Sequence, residues 1–255
     1  MAQNISAGVD IELCVTATQR CTASIDRGNV DVWRIDLDVL TPARWAQVVS
    51  TEEFAEAARL RRPRDRDRFL QGRYCLRLLL ARYLGKPAAA LGLYRDANGK
   101  PQLPAADGLS FNVTHSGALA AIAIGRQRQI GIDIECAVLP DDVRSLAQQV
   151  FSPAENSAFA DLDDTSLTLP FLTGWTRKEA YLKALGVGLY RDPRSVDVGL
   201  QAQPLQLDDA NGAAIAISTL PSDPDCVLSL AVSSAPYAAP VAVCIQPFDA
   251  PPEAA

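Results

Sequence analysis

The segment Gln129-Ile130-Gly131-Ile132-Asp133-Ile134-Glu135 decides how the centre of this chain folds. Its isoleucines occupy every second position, which is the pattern of a β-strand whose side chains alternate between two faces. The isoleucines therefore enter a core, and Asp133 and Glu135 emerge together on the opposite face. Two carboxylates on one rigid strand are suitable ligands for a hard divalent cation such as Mg²⁺. An amphipathic strand with a solvated acidic face is the alternative interpretation.

The segment before this strand alternates in the same way. Phe111-Asn112-Val113-Thr114-His115-Ser116-Gly117 predicts a strand that ends at His115, the only histidine of the chain, followed by a turn. Hydroxyl groups, a histidine and open backbone N–H groups together predict a cradle for an anion. A histidine that serves only the structure is the alternative.

A helix is predicted after the central strand, from Trp175 to Leu185, with Gly186 as its stop signal. Trp175, Glu179 and Lys183 are spaced by four residues, so they share one face of this helix. A Glu–Lys pair at that spacing is often only a surface ion pair worth about 0.3–0.5 kcal/mol. The pair becomes a candidate for chemistry if this face meets the two carboxylates.

Composition narrows the class of protein. At 255 residues and 48% hydrophobic, the chain can bury the core of one large or two small domains. No stretch reaches the roughly 18 apolar residues that a membrane span needs, and residues 1–10 lack the features of a secretory signal. We therefore expect a cytoplasmic protein that does not bind membranes. Six scattered cysteines without a Cys-x-x-Cys pair predict reduced thiols and no zinc site.

The charge distribution favours a small anionic ligand. The net charge is −6, yet the segment from Arg59 to Arg82 carries nine arginines against two aspartates. Such a patch suits a polyanion. The segment has few aromatic residues for base stacking, and the overall pI is near 4.9, so we expect no binding of nucleic acid. A phosphorylated small molecule fits better than a nucleic acid, although the arginines could also merely decorate a helix.

Local signals predict an α+β chain. Capping boxes are expected at Ser50 with Glu53 and at Ser152 with Glu155. Helices are predicted at about 65–84, from 152 to 160 and at 170–185. Strands are predicted at 32–39, 110–114, 119–125, 129–135, 196–200, 204–207, 213–218, 226–232 and 241–246, with the last two completing a meander.

Four segments together resemble the Sfp-type 4′-phosphopantetheinyl transferases. In chain order they are Gly99-Lys100-Pro101, Phe111 to Ser116, Gly131 to Glu135 and Trp175 to Lys183. The resemblance spans roughly residues 50 to 190. Thr114 stands where the family commonly has serine, which keeps the hydroxyl group.

This resemblance implies a fold. Members of the family are pseudo-dimers of two similar α/β lobes with the active site in the cleft between them. The implied lobes here are residues 1–126, which anchor coenzyme A, and 127–246, which carry the metal ligands and the catalytic helix. Residues 247–255 are expected to be a disordered tail. A chain that contains both lobes is expected to act as a monomer.

The resemblance also implies a reaction. The enzyme would transfer 4′-phosphopantetheine from coenzyme A to a serine of an apo acyl or peptidyl carrier protein, and release 3′,5′-ADP. Asp133, Glu135 and Glu179 are implied to hold Mg²⁺. Glu179 is also implied to be the base for the serine, and Lys183 to stabilise the transferred phosphoryl group. The carrier protein could belong to fatty-acid, polyketide or nonribosomal peptide synthesis.

Contacts to coenzyme A follow from the same resemblance. The implied residues are Arg61, Arg68, Lys100, Thr114, His115, Lys178 and Lys183. Arg68 and His115 are expected at the 3′-phosphate of coenzyme A. Glu53 and Glu56 stand where the family often has lysines, so we expect Arg61 or Arg62 to substitute for them.

A docking segment for the carrier protein is implied from about Asp141 to Phe151. Val143, Leu146, Val150 and Phe151 give it an apolar side that either receives the partner or packs inward.

Two other function classes remain open at this point. One is a Mg²⁺-dependent nuclease or phosphodiesterase, but the Glu-x-Lys typical of nuclease metal strands is absent after Glu135. The other is a catalytically silent module that binds carrier proteins, which would be expected to have lost a metal ligand or lysine.

Overall fold

The computed structural model describes residues 11–15, 25–96, 99–136, 139, 142–186, 191–209, 211–233 and 241–248. In these residues the helices are α1 (Pro42–Val48), α2 (Thr51–Ala57), α3 (Pro63–Leu84), α4 (Val143–Val150), α5 (Pro153–Ala160) and α6 (Thr168–Leu185). The strands are β1 (Ile11–Val15), β2 (Val30–Asp36), β3 (Tyr94–Arg95), β4 (Pro101–Gln102), β5 (Leu109–Ser116), β6 (Leu119–Arg126), β7 (Ile130–Glu135), β8 (Leu205–Asp208), β9 (Ala214–Leu220), β10 (Val227–Ser233) and β11 (Val241–Pro247). The α+β class predicted from the sequence is confirmed.

The strands form two main sheets and a small hairpin. The first sheet has the order β1, β11, β2, β6, β5, and the second has the order β7, β10, β9, β8. The second sheet is antiparallel throughout, whereas β11 runs parallel to both β1 and β2 in the first. β3 pairs with β4 alone. β5 and β7 are therefore edge strands of their respective sheets.

The two sheets pack against each other through apolar faces. Ile130, Ile132 and Ile134 of β7 join one core cluster with residues of β2, β6, β10 and β11. The outer face of the first sheet packs on α1 and α3, and that of the second packs on α6. The layers are therefore helices, sheet, sheet and helix, and the predicted burial of the isoleucines is confirmed.

Several helix boundaries follow local sequence signals. α3 ends where Gly85 adopts a positive φ of 64°, a conformation that glycine accepts without strain. Both predicted capping boxes are confirmed. In each one the hydroxyl of Ser50 or Ser152 accepts the N–H of Glu53 or Glu155, whose carboxylate accepts the serine N–H in return.

The strand predicted at residues 196–200 is wrong. Val196 and Val198 are buried, as their alternation indicated. The N–H groups of Val198 and Gly199 donate to the carboxylate of Glu155 at 2.7 and 3.2 Å rather than to a neighbouring strand. A side chain of α5 thus takes the place of a strand partner.

The strand predicted at residues 241–246 is confirmed as β11, but its predicted place in a meander with β10 is wrong. β11 lies in the first sheet, where Val241 is opposite Ile11 and Val243 is opposite Val30. Alternating apolar residues specify a buried strand without specifying its neighbours. Through β11, the chain returns to the sheet formed by its first half. The lobe boundaries at 126 and 127 stay a prediction.

A disulfide links Cys136 and Cys226, so the expectation of reduced thiols is wrong for this pair. The two cysteines are 90 residues apart in sequence. They meet because β7 and β10 are antiparallel, with Glu135 opposite Val227. Cys136 follows Glu135 and Cys226 precedes Val227, so the two cysteines lie opposite each other. Cys75 is a buried thiol, and burial raises its pKa to about 12.

The predicted disorder from residue 247 onward is wrong for Pro247 and Phe248. Pro247 belongs to β11, and the N–H of Phe248 donates to the carbonyl of Arg34 at 2.8 Å. The ring of Phe248 also packs edge-on against Trp33, with ring centres 6.0 Å apart. Residues 249–255 lie outside the described residues. Among the described helices, none has the length and apolar character needed to cross a membrane.

Candidate active site at the contact of α6 with β7

Helix α6 lies directly on β7 because Gly131 has no side chain. A Cβ atom at Gly131 would lie 1.9 Å from the carbonyl oxygen of Ala180 and 2.4 Å from the nitrogen of Ala184. Both are backbone atoms of α6, so only glycine permits this approach. Gly131 shares its face of β7 with Asp133 and Glu135. The close contact therefore brings α6 onto the acidic face of the strand.

Glu179 and Lys183 of α6 lie beside Asp133. The Nζ atom of Lys183 is 2.5 Å from Oδ1 of Asp133 and donates to the carbonyl of Ile132 at 3.3 Å. Oδ2 of Asp133 and Oε1 of Glu179 are buried without a hydrogen-bond partner. Buried carboxylate oxygens without a partner are unfavourable. These two oxygens mark a place suited to a cation or a proton donor.

The electrostatics of the site disfavour its negative charges. Burial raises the pKa of Asp133 and of Glu179, and the Lys183 ammonium opposes this rise in both groups. The charge of Glu135 adds to the rise in both, and that of Asp133 adds to it in Glu179. Asp133 and Glu179 are therefore close enough to other carboxylates for their own ionisation to be disfavoured.

The donor set suits a hard cation, although the carboxylates are not gathered into a complete site. All three groups offer oxygen ligands, the type that Mg²⁺ prefers. Within the described part of the chain, no three His, Cys, Asp or Glu residues lie close enough together to hold a metal ion. Lys183 lies against Asp133 instead, and Glu135 accepts a hydrogen bond from Ser116 at 2.9 Å. The unpartnered oxygens of Asp133 and Glu179 are the observation that fits a bound cation.

The polar side of β5 binds β7. Three side chains accept N–H groups of β7: Asn112 from Ile132 at 2.9 Å, Thr114 from Ile134 at 3.3 Å and Ser116 from Cys136 at 3.0 Å. These side chains replace a backbone ladder between the two edge strands and satisfy N–H groups that would otherwise lack partners. These hydroxyls are already bonded within the protein, and the predicted anion cradle stays a prediction.

Thr114 and His115 lie on opposite faces of β5, as neighbours in a strand must. Thr114 is buried, and its hydroxyl donates to Oδ1 of Asp133 at 3.0 Å. Its only hydroxyl hydrogen is thus used by Asp133 in this structure, and the predicted phosphate contact of Thr114 stays a prediction. His115 is exposed, and its role at a phosphate stays a prediction.

Lys178 is a structural residue in this fold, and its predicted contact with coenzyme A is wrong. Its side chain is fully buried, with Nζ 2.6 Å from Oε2 of Glu155. The same atom donates to the carbonyls of Pro193 and Val196 at 2.9 and 2.6 Å. Successive residues of a helix are separated by about 100°, so Lys178 points into the core while Glu179 points toward β7.

Lys100 brings the first half of the chain to this site. It lies in the connection between β3 and β4, and its Nζ donates to the carbonyl of Lys183 at 3.1 Å. Burial lowers the pKa of Lys100, and the nearby charge of Lys183 adds to this effect. The predicted coenzyme contact of Lys100 stays untested, but its side chain reaches the last turn of α6.

The arginines predicted to bind coenzyme A lie on the first half of the chain. Arg68 of α3 forms two hydrogen bonds with Asp38, at 2.7 and 2.8 Å, and together with Arg64 holds the pKa of Asp38 well below its usual range. Arg61 is exposed. An anion at Arg68 would have to displace Asp38, and the roles of both arginines stay predictions.

Glu53 and Glu56 each pair with an arginine, and the expected substitution of Arg61 or Arg62 for the family's lysines stays a prediction. Glu53 is 2.7 Å from the buried Arg77, and Glu56 pairs with Arg95. These residues and Arg73 line a cavity of about 690 Å³ that also touches Pro101, the residue after Lys100.

Arg73 adds positive charge to this cavity. Burial lowers the pKa of Arg73, and the charge of Arg95 lowers it further. The guanidinium lies over the ring of Phe69, 5.0 Å from its centre. The charged residues that line the cavity are therefore three glutamates and four arginines: Glu52, Glu53, Glu56, Arg59, Arg73, Arg77 and Arg95.

The apolar side of α4 packs inward, so its predicted role in receiving a partner is wrong. Val143, Val150 and Phe151 are buried in a cluster with α5 and α6, and Leu146 packs against that cluster. A groove of about 900 Å³ lies beside α4, lined in part by the disulfide and by Leu169, which is 66% exposed.

Two features of the site escape sequence reasoning. Asn112 and Ser116 belong to a recognisable motif, but nothing local shows that their side chains bind another strand. Gly131 lies inside a predicted strand, and a glycine there can mark the close approach of another backbone. This signal could have predicted that a helix packs directly on the strand.

Two family models match this chain. One, described as the 4′-phosphopantetheinyl transferase superfamily, matches residues 129–242. The other, described as the N-terminal part of 4′-phosphopantetheinyl transferase, matches residues 41–127. Together they include every residue predicted for the site.

Curated proteins with related sequences carry similar names. The chain is 37% identical over 213 residues to 4′-phosphopantetheinyl transferase HetI of Nostoc sp., covering 80% of this chain and 88% of the relative. It is 32% identical over 146 residues to the 4′-phosphopantetheinyl transferase of Bacillus subtilis, covering 57% and 64%. It is 28% identical over 193 residues to the L-aminoadipate-semialdehyde dehydrogenase-phosphopantetheinyl transferase of Homo sapiens, covering 69% and 62%. The last two alignments each cover just under two thirds of the relative.

Proposed function

Because this chain belongs to the 4′-phosphopantetheinyl transferase superfamily, we propose that it transfers 4′-phosphopantetheine from coenzyme A to a serine of an apo acyl or peptidyl carrier protein. The observation that carries the proposal is the approach of Glu179 and Lys183 to Asp133 where α6 meets β7. The reaction splits the pyrophosphate of coenzyme A and releases 3′,5′-ADP.

Glu179 acts as the base in this proposal. Its raised pKa gives the carboxylate a greater affinity for a proton than an ordinary glutamate has, which favours its use as a general base. The serine oxygen forms a bond to the phosphorus of the phosphopantetheine group, and the serine proton passes to Glu179. The bond from that phosphorus to the bridging oxygen breaks, and its electron pair leaves with 3′,5′-ADP.

Lys183 stabilises negative charge on the transferred phosphoryl group. Its ammonium lies at the centre of the site, half-buried, where an electrostatic contact is stronger than in bulk water. Lys100, at the carbonyl of Lys183, adds a second positive charge from the first half of the chain. Of the two lysines, Lys183 acts directly on the charge of the candidate base.

Asp133, Glu135 and Glu179 are the residues that would hold Mg²⁺. The buried, unpartnered oxygens of Asp133 and Glu179 support this assignment. When bound, Mg²⁺ supplies positive charge that offsets the charge of a pyrophosphate. Lys183, which neutralises Asp133 in the protein alone, limits the unfavourable charge of the site before ligands bind.

The nucleotide end of coenzyme A is assigned to the first half of the chain. Arg68, Arg61 and His115 are proposed to bind its phosphates, since the arginine fork matches phosphate geometry. The cavity beside Pro101, with Arg73 and Arg95 on its wall, supports a phosphorylated ligand on this side.

The proposed partners are coenzyme A and a carrier protein, with neither nucleic acid nor a membrane involved. Action as a monomer completes the proposal, whereas the cytoplasmic location expected from the sequence is left out of it. The disulfide is the observation that speaks against a reducing compartment.

Intact-protein mass spectrometry tests the activity. The purified chain, coenzyme A and Mg²⁺ should add one phosphopantetheine group to an apo carrier protein, while a carrier whose acceptor serine is changed to alanine should stay unmodified. Excess EDTA should stop the reaction. Continued modification in EDTA would remove Mg²⁺ from the proposal, and no modification of any acyl or peptidyl carrier tested would contradict the activity itself.

A further inference from the structure

The hydroxyl groups of Thr114 and Ser116 make the same pair of contacts at successive positions of β7. Thr114 accepts the N–H of Ile134 at 3.3 Å and donates to Asp133 at 3.0 Å. Ser116 accepts the N–H of Cys136 at 3.0 Å and donates to Glu135 at 2.9 Å. In both cases the hydroxyl binds one carboxylate and the N–H of the residue that follows it.

This geometry leaves each hydroxyl one use for its hydrogen. A backbone N–H can only donate, so the oxygen of Thr114 or Ser116 must accept there. The single hydroxyl hydrogen is then directed to the carboxylate. Because the accepted N–H belongs to the same strand as the carboxylate, each carboxylate is oriented relative to its own backbone.

The anchors of these contacts are rigid. Ile134 lies within a strand that is paired with β10 and packed into the core between the sheets. Cys136 is tied by its disulfide to Cys226, the residue just before β10. The partner of Asn112, Ile132, follows a glycine rather than a carboxylate. Among the described residues, the side chain of Asn112 makes one hydrogen bond, with the N–H of Ile132. The two hydroxyl residues of β5 therefore lie opposite the two carboxylates of β7, and an amide residue lies opposite the position without one.

We propose that Thr114 and Ser116 are positioning residues that orient Asp133 and Glu135 to bind a divalent cation. This inference rests on the proposed function, because it assigns the two carboxylates to a cation. Groups that bind metal ligands from behind limit the rotamers of those ligands, and their removal typically weakens metal binding by about 10–100-fold. The hydroxyls act through the carboxylates and need not touch the ion.

Titration of the purified full chain with Mn²⁺, followed by the electron paramagnetic resonance signal of the free ion, tests the proposal. Thr114→Val keeps the side-chain shape and removes the hydroxyl, and Ser116→Ala does the same with little change in volume. Each should raise the Kd for Mn²⁺ about 10-fold or more. Ser110→Ala, a matched change on the same side of β5, should leave the Kd unchanged, and Thr114→Ser should retain tight binding.

A second readout separates positioning from general structural support. The Mg²⁺ concentration for half-maximal transfer should rise in Thr114→Val and Ser116→Ala, while kcat at saturating Mg²⁺ falls much less. An unchanged Kd for Mn²⁺ in both variants would overturn the proposal, as would a wild-type chain that binds no Mn²⁺. Variants that cannot fold would show the hydroxyls to be structural and would also overturn it.

The Mn²⁺ titration also distinguishes failure of this inference from failure of the proposed function. If the wild-type chain modifies carrier proteins but the variants keep their affinity for Mn²⁺, the function stands and the positioning role falls. If the wild-type chain modifies none, the function falls, and the effect of the hydroxyls on Mn²⁺ affinity is still decided.

Discussion

Glu179 carries a charge that its surroundings disfavour. Burial and the charges of Asp133 and Glu135 raise its pKa above the ordinary value of 4.5, and Lys183 offsets this rise only in part. A carboxyl with a higher pKa in the folded than in the unfolded protein binds its proton more tightly when folded. Its contribution to stability is therefore present at low pH and is lost as the pH rises from about 4.5 through the raised pKa.

Removing this charge should stabilise the metal-free protein at neutral pH. We expect Glu179→Gln to raise Tm at pH 7 in EDTA and to leave Tm nearly unchanged at pH 4, where Glu179 is largely protonated in both states. Glu52→Gln is a control of opposite sign, because hydrogen bonds at the start of α2 lower the pKa of Glu52. Thermal unfolding followed by circular dichroism measures both. A lower Tm for Glu179→Gln at pH 7 would show that its charge is favourable in the metal-free protein.

For single residues, the sequence predicts which side chains share a face better than it predicts the atoms that they contact. The spacing of Glu179 and Lys183 correctly places both on one helix face, and Lys183 does meet Asp133. The motif also pointed to Lys178, yet one step along the helix turns that side chain into the core against Glu155. For Thr114, the motif could not show that its hydroxyl hydrogen is already used by Asp133.

The contact between α6 and β7 depends on a single missing side chain. Gly131→Ala would place a methyl group against backbone atoms of α6 that cannot move independently of the helix. Overpacking of this kind costs about 1–3 kcal/mol or more. The helix must move away from the strand, so Glu179 and Lys183 would leave Asp133.

We therefore expect Gly131→Ala to lower the stability of the chain and to abolish most transfer activity. Gly72→Ala is the matched control, because its Cβ would lie 3.6 Å from a side-chain atom of Leu37, an ordinary contact. In the interior of α3 this change should stabilise the protein by about 0.5–1 kcal/mol. Urea unfolding and the carrier assay measure both effects. A Gly131→Ala chain with wild-type stability and activity would contradict the account of this contact.

Helix ends marked by local sequence signals were predicted well, whereas the partners of extended segments were not. Ser50, Glu53 and Gly85 mark helix ends through contacts within a few residues, so sequence alone is sufficient. The strand prediction at residues 196–200 was wrong because the partner of that backbone is distant in sequence. The carboxylate of Glu155 accepts the N–H of Val198. A pattern of alternating apolar residues cannot distinguish these cases.

The whole molecule is organised around the meeting of two sheet edges. Side chains of β5 join β7, and α6 covers the acidic face of β7 from the other direction. β11 closes the first sheet, and the Cys136–Cys226 bond ties the end of β7 to the start of β10. Neither long-range feature could be predicted, because strand order and cysteine pairing have no local sequence signal. The α+β class and the common face of Asp133 and Glu135 could be predicted, because local periodicity specifies both, whereas the approach of Glu179 to this face was implied only by the family resemblance.

We propose that phosphopantetheine transfer takes place where α6 meets β7, with Glu179 as base. The most direct test is the rate of carrier modification by Glu179→Gln at saturating coenzyme A and Mg²⁺, followed by intact-protein mass spectrometry. Loss of a general base typically lowers a rate about 10²–10⁴-fold. We expect a fall of at least that size, unchanged coenzyme A binding by calorimetry, and wild-type rates for the exposed control Asp161→Asn. A near-wild-type rate for Glu179→Gln under these conditions would contradict the account.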